Sequence, residues 1–178
     1  MMNVCVFCGS REGEKPVFME AARDLGKYLA ENSHTLVYGG ANVGLMGAVA
    51  DSHLKHGGEV IGIMPEVLKH YEVAHEALTE LHWVKDMHER KAMMEKKSDA
   101  FISLPGGVGT LEEFFEQFTW NQIGVHTKPV GLYNVDSYYE LLIQFMQNVE
   151  RSGFLREGDI QKLSIIESVS ELKEKMGI

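Results

Sequence analysis

Short apolar runs alternate with amphipathic stretches from one end of the chain to the other. Runs of about four to eight apolar residues are typical of buried strands, whereas apolar residues that recur every three or four positions indicate helices. The pattern predicts strands at residues 4–7, 35–38, 59–64, 81–84, 100–104, 129–133 and 163–166. It predicts helices at residues 16–31, 87–97, 111–123 and 169–176, one that ends near 55, and one from 136 or 137 to about 153. Residues 66–78 are mixed in charge and receive no assignment.

Strands and helices that alternate in this way predict an α/β fold. In such folds a parallel sheet is covered by helices on both faces through right-handed crossovers. We therefore expect a Rossmann-like architecture of three layers. The chain has 178 residues, which is enough for one domain with a substantial core and short for two. We expect residues 1–178 to form a single domain.

Glycine-rich turns follow three of the predicted strands. They occupy residues 8–10, 39–47 and 105–109. The carboxyl ends of parallel strands meet at one edge of the sheet, which is where ligands bind in folds of this class. One such turn is weak evidence for a site, but three turns on one edge indicate a ligand there.

The third turn, from Pro105 to Thr110, is the best candidate for binding an anion. Its glycines let backbone N–H groups approach a phosphate without a Cβ in the way. The positive end of the following helix points at the same place. A purely structural role stays open, because such turns also make tight corners and because Thr110 and Glu113 fit a capping box. The turn is not a Walker motif, since no Lys-Ser or Lys-Thr pair follows its last glycine.

The first glycine turn tests whether the ligand is a dinucleotide. A Rossmann fingerprint needs G-x-G-x-x-G directly after the first strand, with an acidic residue about 20 positions later. Residues 9–13 read Gly-Ser-Arg-Glu-Gly and fail that spacing. NAD is therefore disfavoured, and a mononucleotide fits better.

Charged residues flank the third turn on both sides. Arg90 and Lys91 lie on the preceding helix, where adjacent residues point about 100° apart, so that one can face the site while the other faces solvent. A fully solvated helix surface is the alternative. Glu112, Glu113 and Glu116 lie in the first turns of the next helix. A carboxylate beside a nucleotide can stabilise the oxocarbenium-like state that forms as a sugar–base bond breaks, and it can orient or deprotonate water.

Composition and charge restrict the class of protein. The formal net charge is −9 and the charged fraction is 24%. An acidic surface disfavours nucleic-acid binding that depends on neutralising phosphates. The sequence contains no run of about 20 apolar residues that would suggest a membrane span. The N-terminal residues lack the layout of a signal peptide, and we expect a cytoplasmic protein that binds neither nucleic acid nor membranes.

Cysteine and histidine patterns give little support for redox or metal chemistry. Cys5 and Cys8 form a C-x-x-C, but residues three apart along a strand lie roughly 10 Å apart on opposite faces, which is too far for a disulfide. We interpret them as small buried residues. His53 and His56 have no matching acidic or thiol cluster nearby in the sequence. We therefore expect no metal site.

With these residues in view, the chain resembles the Lonely Guy (LOG) family of phosphoribohydrolases, which are often mislabelled as lysine decarboxylases. The resemblance covers nearly the whole chain. It is carried by Phe7-Cys8-Gly9-Ser10, by the glycines from Gly39-Gly40 to Gly47, by Met87 with Arg90-Lys91, and by P-G-G-x-G-T-x-x-E from Pro105 to Glu113.

The resemblance implies hydrolysis of cytokinin riboside 5′-monophosphates to the free base and ribose 5-phosphate, and in some relatives of AMP. It implies Arg90 and Glu113 as the catalytic pair, without a cofactor. The residues that it implies for substrate binding are Gly9, Ser10, Gly40, Lys91, Gly106, Gly107, Val108, Gly109 and Thr110. It also implies a homodimer whose site lies near the subunit interface.

Two other functions can be weighed on the residues. A nucleotide sensor or carrier could use the same turn without cutting its ligand, but a carboxylate close to a phosphate does not favour simple binding. A decarboxylase that uses pyridoxal phosphate would need a Schiff-base lysine and partners for the ring nitrogen. No lysine in the sequence has such a setting.

Overall fold

The computed structural model describes residues 1–69 and 73–178, and its centre is a parallel sheet of seven strands in the order β4-β3-β2-β1-β5-β6-β7. The strands are β1 Asn3–Phe7, β2 Thr35–Tyr38, β3 Val60–Pro65, β4 Glu80–Val84, β5 Ala100–Ser103, β6 Val130–Tyr133 and β7 Leu163–Ile166. Each predicted strand is confirmed, with ends that differ by at most one residue. The α/β fold class is confirmed as well.

In the part of the chain that the structure describes, six helices connect or follow these strands. They are α1 Pro16–Glu31, α2 Gly44–Lys55, α3 Met87–Lys97, α4 Val108–Gln122, α5 Glu140–Arg151 and α6 Leu172–Met176. Three predicted starts are wrong. Helix α6 begins at Leu172 and not at residue 169, because Val169–Glu171 forms a separate 3₁₀ turn. Helix α4 begins three residues before Leu111, because Gly107 and not Thr110 is its N-cap. Helix α5 begins at Glu140, because Asp136 and Ser137 lie in a 3₁₀ turn and have positive φ angles of 50° and 59°.

The sheet separates two apolar layers, because successive side chains along each strand point to opposite faces of the sheet. In β1, Val4 and Val6 face one layer while Cys5 and Phe7 face the other. The first layer contains buried residues of α1, α2 and α6, and the second contains buried residues of α3, α4 and α5. The three-layer architecture is therefore confirmed. Among the described residues, no helix has both the length and the apolar character that crossing a bilayer demands.

The strand order reverses between β1 and β5, and the glycine turns meet at that point. The Gly9 N–H donates to the Pro105 carbonyl at 3.1 Å, and the Leu45 N–H donates to the Gly9 carbonyl at 3.1 Å. Direct hydrogen bonds thus connect the turns that follow β1, β2 and β5, which confirms the predicted convergence. The crevice at such a reversal is the usual ligand site of an open α/β sheet.

The unassigned segment 66–78 is described in part, and residues 70–72 lie outside the described residues. Glu66–Leu68 forms a 3₁₀ turn. After the gap, the chain crosses the second glycine turn, where the Asn42 N–H donates to the Val73 carbonyl and the His75 N–H donates to the Gly40 carbonyl. The described part of this segment therefore covers the turn after β2.

The close approach of α1 to α2 generates a stability prediction. A Cβ on Gly26 would lie 2.4 Å from the Val49 carbonyl oxygen, whereas a Cβ on Gly109 of α4 would meet nothing within 4 Å. We expect Gly26→Ala to lower the free energy of unfolding by about 1–3 kcal/mol through overpacking. Gly109→Ala should leave it unchanged or raise it by up to about 1 kcal/mol, because alanine is the better helix former. Urea titration measures both, and equal effects of the two substitutions would contradict this account of the helix contact.

Candidate active site

A cavity of about 180 Å³ lies at the carboxyl ends of β1 and β5. Its lining consists of Val6, Phe7, Cys8, Gly9, Ser10, Gly39, Met46, Arg90, Met94, Gly107, Gly109, Thr110 and Glu113. Residues from β1, from all three glycine turns, from α3 and from α4 therefore surround one space. This convergence brings the predicted catalytic pair next to the third glycine turn, residues 105–110, which we call the phosphate loop.

The N-terminus of α4 opens this space to an anion. Gly107, the N-cap residue, has an extended backbone and no side chain with which to cap the helix. The neighbouring helix α3 differs, because its N-cap Asp86 accepts hydrogen bonds from the N–H groups of His88 and Glu89 at 3.0 Å each. The first N–H groups of a helix have no partner within the helix. Those of α4 are therefore available to a phosphate, together with the positive end of the helix dipole.

Glycine is required at position 106 by close packing. A Cβ on Gly106 would lie 2.1 Å from Thr110 Oγ1 and 2.9 Å from the Gly9 backbone nitrogen. The turn after β5 can therefore approach both the turn after β1 and the first turn of α4 only without a side chain. The same holds for Gly44 of the second turn, whose Cβ would lie 2.4 Å from the Ser10 carbonyl carbon.

Arg90 and Glu113 form a buried ion pair at the wall of the cavity. The Arg90 Nη1 donates to Glu113 Oε1 at 2.8 Å, and the Arg90 Nε donates to the Ile63 carbonyl at 3.1 Å. Both residues are less than 10% exposed. Arg90 lines the cavity and is buried, which excludes a solvated surface position for it. Its role in a site stays a prediction.

Burial changes the acidity of the carboxyl. It raises the pKa of Glu113 above the ordinary value of a glutamate, while the Arg90 guanidinium acts in the opposite direction. A carboxylate that loses hydration in this way becomes a better proton acceptor near neutral pH. The pair therefore combines a fixed negative charge with usable basicity.

The capping box is wrong. Thr110 lies inside α4 and is not its N-cap, and the Glu113 carboxylate accepts from Arg90. The physical reason is that the glycines before Thr110 allow the helix to begin at Val108, which moves Glu113 from the third to the sixth helical position. Its side chain then faces α3 and the cavity.

Lys91 faces away from the cavity, toward the surface of α4. Its Nζ pairs with Glu112 and with Glu116, the latter at 3.0 Å. Burial alone would lower the pKa of Lys91, but the hydrogen bonds to these two carboxylates outweigh it and raise the pKa. Among the described residues, the cavity lining does not include Lys91. Its contact with substrate stays a prediction.

The other predicted binding residues divide into two groups. The first group lines the cavity and consists of Gly9, Ser10, Gly107, Gly109 and Thr110. The second group lies beside it. Gly106 lines an adjoining cavity of about 340 Å³, Val108 is 83% exposed, and Gly40 has a φ of 84° and accepts from His75 through its carbonyl.

Comparison with known proteins places this chain in a family. A family model described as "possible lysine decarboxylase" matches residues 46–176. A probable cytokinin riboside 5′-monophosphate phosphoribohydrolase of Oryza sativa subsp. japonica, LOGL2, is 47% identical over 98% of this chain and 71% of its own length. The cytokinin riboside 5′-monophosphate phosphoribohydrolase LOG7 of Arabidopsis thaliana is 51% identical over 86% of this chain and 70% of its own length. The chain belongs to the LOG family.

Solved structures with the same fold include carriers of a cofactor. The molybdenum cofactor binding protein of Rippkaea orientalis has a TM-score of 0.70 and 26% identity, and the alignment covers 97% of this chain and 93% of that chain. The molybdenum cofactor carrier protein of Chlamydomonas reinhardtii has a TM-score of 0.71 at 18% identity, covering 94% of this chain and 91% of that chain. The second likeness shows the fold alone.

Six lining residues of the cavity were not among the predicted site residues: Val6, Phe7, Cys8, Gly39, Met46 and Met94. Two of them had a usable signal. Gly39 directly precedes Gly40 in the second glycine turn, and Met94 lies four positions after Arg90, on the same face of α3. Cys8 and Met46 lie in the first and second glycine turns, but their apolar side chains do not distinguish them from core residues, and Val6 and Phe7 belong to the apolar run of β1.

The cysteines behave as predicted. Cys5 and Cys8, both among the described residues, are free and buried on opposite sides of the sheet. Burial raises the pKa of the Cys8 thiol far above its ordinary value, so it lines the cavity as a neutral group. Within residues 1–69 and 73–178, no group of three or more His, Cys, Asp or Glu side chains is placed to hold a metal ion.

Gly39 provides a test of the Arg90 position. A Cβ at residue 39 would lie 2.3 Å from Arg90 Nη2 and 3.1 Å from the Met46 sulfur. We expect Gly39→Ala to displace the guanidinium from Glu113 and to lower kcat/KM for a nucleoside 5′-monophosphate by about 10²-fold, since a misplacement of about 1 Å can have that effect. Steady-state kinetics measures the loss, and thermal melting shows whether the variant is folded. A folded variant with the rate of the original protein would contradict the assigned role of Gly39.

Proposed function

We propose that this chain hydrolyses the N-glycosidic bond of nucleoside 5′-monophosphates of the cytokinin type, releasing the free base and ribose 5-phosphate. Residues 1–178 act as one phosphoribohydrolase domain in this proposal. Water attacks C1′ of the ribose, the bond from C1′ to the base nitrogen breaks, and its electron pair leaves with the base. One proton of the water goes to Glu113. The departing base takes up one proton from solvent and Glu113 returns its proton to solvent, so that the net reaction consumes one water.

The observation that carries this proposal is the position of the buried Arg90–Glu113 pair beside the open N-terminus of α4. The phosphate is bound at the first N–H groups of α4. Because Glu113 lies on the next turns of the same helix, binding the phosphate there brings the ribose of the nucleotide toward the carboxylate. One rigid element thus fixes both ends of the reacting group.

Glu113 has two tasks in this mechanism. Its negative charge stabilises the oxocarbenium-like state at C1′, and its basicity lets it orient and deprotonate the attacking water. The raised pKa of its buried carboxyl supports the second task. Glu113 is only 8% exposed, so little bulk water reaches its carboxylate. The low local polarity strengthens the electrostatic effect of the carboxylate on the sugar.

Arg90 fixes the carboxylate. Its guanidinium is held by Glu113, by the Ile63 carbonyl and by close packing against Gly39. A side chain held at three points loses little further freedom when substrate binds. The Arg90 guanidinium also opposes the effect of burial, which raises the pKa of Glu113.

The substrate class rests on the relatives and on the shape of the site. Relatives that are 46–51% identical over most of this chain are named cytokinin riboside 5′-monophosphate phosphoribohydrolases. The cavity presents helix N–H groups for a phosphate and a carboxylate for the ribose carbon. We assign the substrate as an AMP-like nucleotide with or without a prenyl group on the base.

Substitution of the catalytic pair tests the proposal. We expect Glu113→Gln to lower kcat by about 10²–10⁴-fold, because the amide supplies neither charge nor basicity. Arg90→Ala should lower it comparably, because it leaves the carboxylate buried and unpaired. The assay follows release of free base from isopentenyladenosine monophosphate and from AMP. Glu112→Gln is the matched control, since this adjacent carboxylate pairs with Lys91 outside the cavity.

The outcomes separate the assigned roles. A Glu113→Gln variant with near-normal turnover would remove the catalytic role from Glu113. Failure of the original protein to release base from either nucleotide would overturn the proposed activity itself.

A nucleotide carrier is the second candidate function. It is favoured by the 26% identity to the molybdenum cofactor binding protein of Rippkaea orientalis. It would bind an intact nucleotide and release no product after long incubation. The hydrolase is preferred because the named hydrolases are far more similar in sequence and because a buried carboxylate in the cavity opposes simple binding of an anion.

We also assign the functional unit as a homodimer formed through α4 and α5. Helix α5 buries Met146 but leaves Leu141 80% and Phe145 61% exposed. Phe115 of α4 and Phe154 after α5 are exposed as well. Large exposed apolar side chains on two helices that pack on the same face of the sheet support an interface with a second copy.

Charge introduced on this face tests the dimer. We expect Phe145→Glu to shift the protein from dimer to monomer in light scattering coupled to size exclusion. Gln147→Glu adds the same charge at an exposed position of α5 on another face and should leave the dimer intact. If the original protein and Gln147→Glu were both monomers, the assignment would be contradicted. A cytoplasmic location and the lack of nucleic-acid binding stay predictions.

A further inference from the structure

Three successive carbonyl groups at the start of the phosphate loop, those of residues 104–106, accept hydrogen bonds from donors outside the loop. The Tyr139 hydroxyl donates to the Leu104 carbonyl at 2.6 Å, and the Tyr138 hydroxyl donates to the Gly106 carbonyl at 2.6 Å. Between them, the Pro105 carbonyl accepts from the Gly9 N–H at 3.1 Å. Two adjacent tyrosines from the segment between β6 and α5 thus contact the loop that follows β5.

The bond to Gly106 fixes the direction of the next N–H group. In a trans peptide the C=O of one residue and the N–H of the next point in opposite directions. Tyr138 lines the adjoining cavity, together with Gly106, and is not part of the catalytic cavity lining. Holding the Gly106 carbonyl toward Tyr138 therefore directs the Gly107 N–H toward the side of the catalytic cavity.

This peptide needs an external restraint. It joins two glycines, and glycine has access to far more backbone conformations than any other residue. Gly107 is the N-cap of α4, and its carbonyl accepts from the Leu111 N–H at 3.1 Å. That bond does not fix the preceding peptide, whose two groups are the Gly106 carbonyl and the Gly107 N–H. Without the tyrosine hydroxyl, the peptide between Gly106 and Gly107 can turn and point a carbonyl at the phosphate.

The segment that carries the tyrosines is held in an unusual conformation. Asp136 and Ser137 are consecutive non-glycine residues with positive φ. Such residues cost free energy and persist only where the surrounding structure determines them. Asn134 provides that restraint, because its Oδ1 accepts from the Tyr139 N–H at 2.8 Å and its own N–H donates to the Ile166 carbonyl at 2.7 Å. Lys15 pairs with Asp136 from the start of α1.

We propose that Tyr138 is a positioning residue of the phosphate loop, with Tyr139 as its buried support, and that its hydroxyl holds the peptide between Gly106 and Gly107 in the orientation that binds the substrate phosphate. This inference rests on the proposed function for the identity of the ligand. Tyr138 acts through the loop and does not touch the reacting atoms. Tyr139, at 2% exposure, anchors the strand end. Tyr138 is 44% exposed, so its hydroxyl can be removed without opening the core.

The test replaces one hydroxyl at a time. Tyr138→Phe keeps the ring, which packs edge-on against Phe18 with centroids 5.7 Å apart, and removes the bond to Gly106. Tyr28→Phe is the matched control, because the Tyr28 hydroxyl also donates to a backbone carbonyl, that of Ile178, at 2.9 Å and remote from the site. Melting curves of both variants establish that they are folded.

Two measurements are made on the full chain. Titration calorimetry with ribose 5-phosphate should show a dissociation constant that is raised about five- to tenfold in Tyr138→Phe, which is the effect expected when one hydrogen bond is lost. The dissociation constant of Tyr28→Phe should be unchanged. In ligand-free protein, hydrogen exchange at residues 106–109 should be faster in Tyr138→Phe only. A side chain that merely touched the ligand would not alter exchange in its absence.

The outcomes distinguish this inference from the proposed function. Equal dissociation constants and equal exchange in Tyr138→Phe and the original protein would overturn the positioning role, even if hydrolysis is observed. Weaker binding and faster exchange in a protein that releases no base would support the positioning role and overturn the hydrolase. Absence of ribose 5-phosphate binding by the original protein would overturn the inference.

Discussion

The buried ion pair between Arg90 and Glu113 is the constraint on which the site depends. A carboxylate that is 8% exposed and a guanidinium that is 7% exposed are stable there only together, because either charge alone would be left unpaired in the core. Their pairing requires α3 and α4 to pack side by side over the sheet. It also requires Gly39, whose missing Cβ leaves room for the guanidinium.

The same packing explains why the phosphate loop and the Glu113 carboxylate lie beside one cavity. Helix α4 begins at Val108 after an N-cap without a side chain, so its first N–H groups remain open to an anion. Glu113 follows on the same helix and faces α3. The loop itself is held from three sides, by Gly9 of the first turn and by the hydroxyls of Tyr138 and Tyr139. The turn and the Arg90–Glu113 pair thus share one frame.

Much of this was predictable from the sequence. Each strand was predicted to within one residue, because buried parallel strands are short apolar runs between turn residues. The convergence of the three glycine turns follows from parallel topology alone. The capping box at Thr110 was wrong because a local motif cannot show that the preceding glycines allow the helix to begin earlier. The start of α5 was wrong for a related reason, since positive φ at Asp136 and Ser137 is imposed by contacts with distant residues such as Asn134 and Lys15.

Taken by itself, the sequence determined the fold class, the edge of the sheet where the glycine turns meet and the residue types available there, because periodicity and glycine placement are local properties of the chain. Only the tertiary structure decided which charges meet. Arg90 and Lys91 are neighbours in the sequence, yet one is buried against Glu113 while the other pairs with Glu112 and Glu116 on the outer side. That choice depends on how α3 rotates as it packs on the sheet and on α4, and side chains 23 residues apart take part in it.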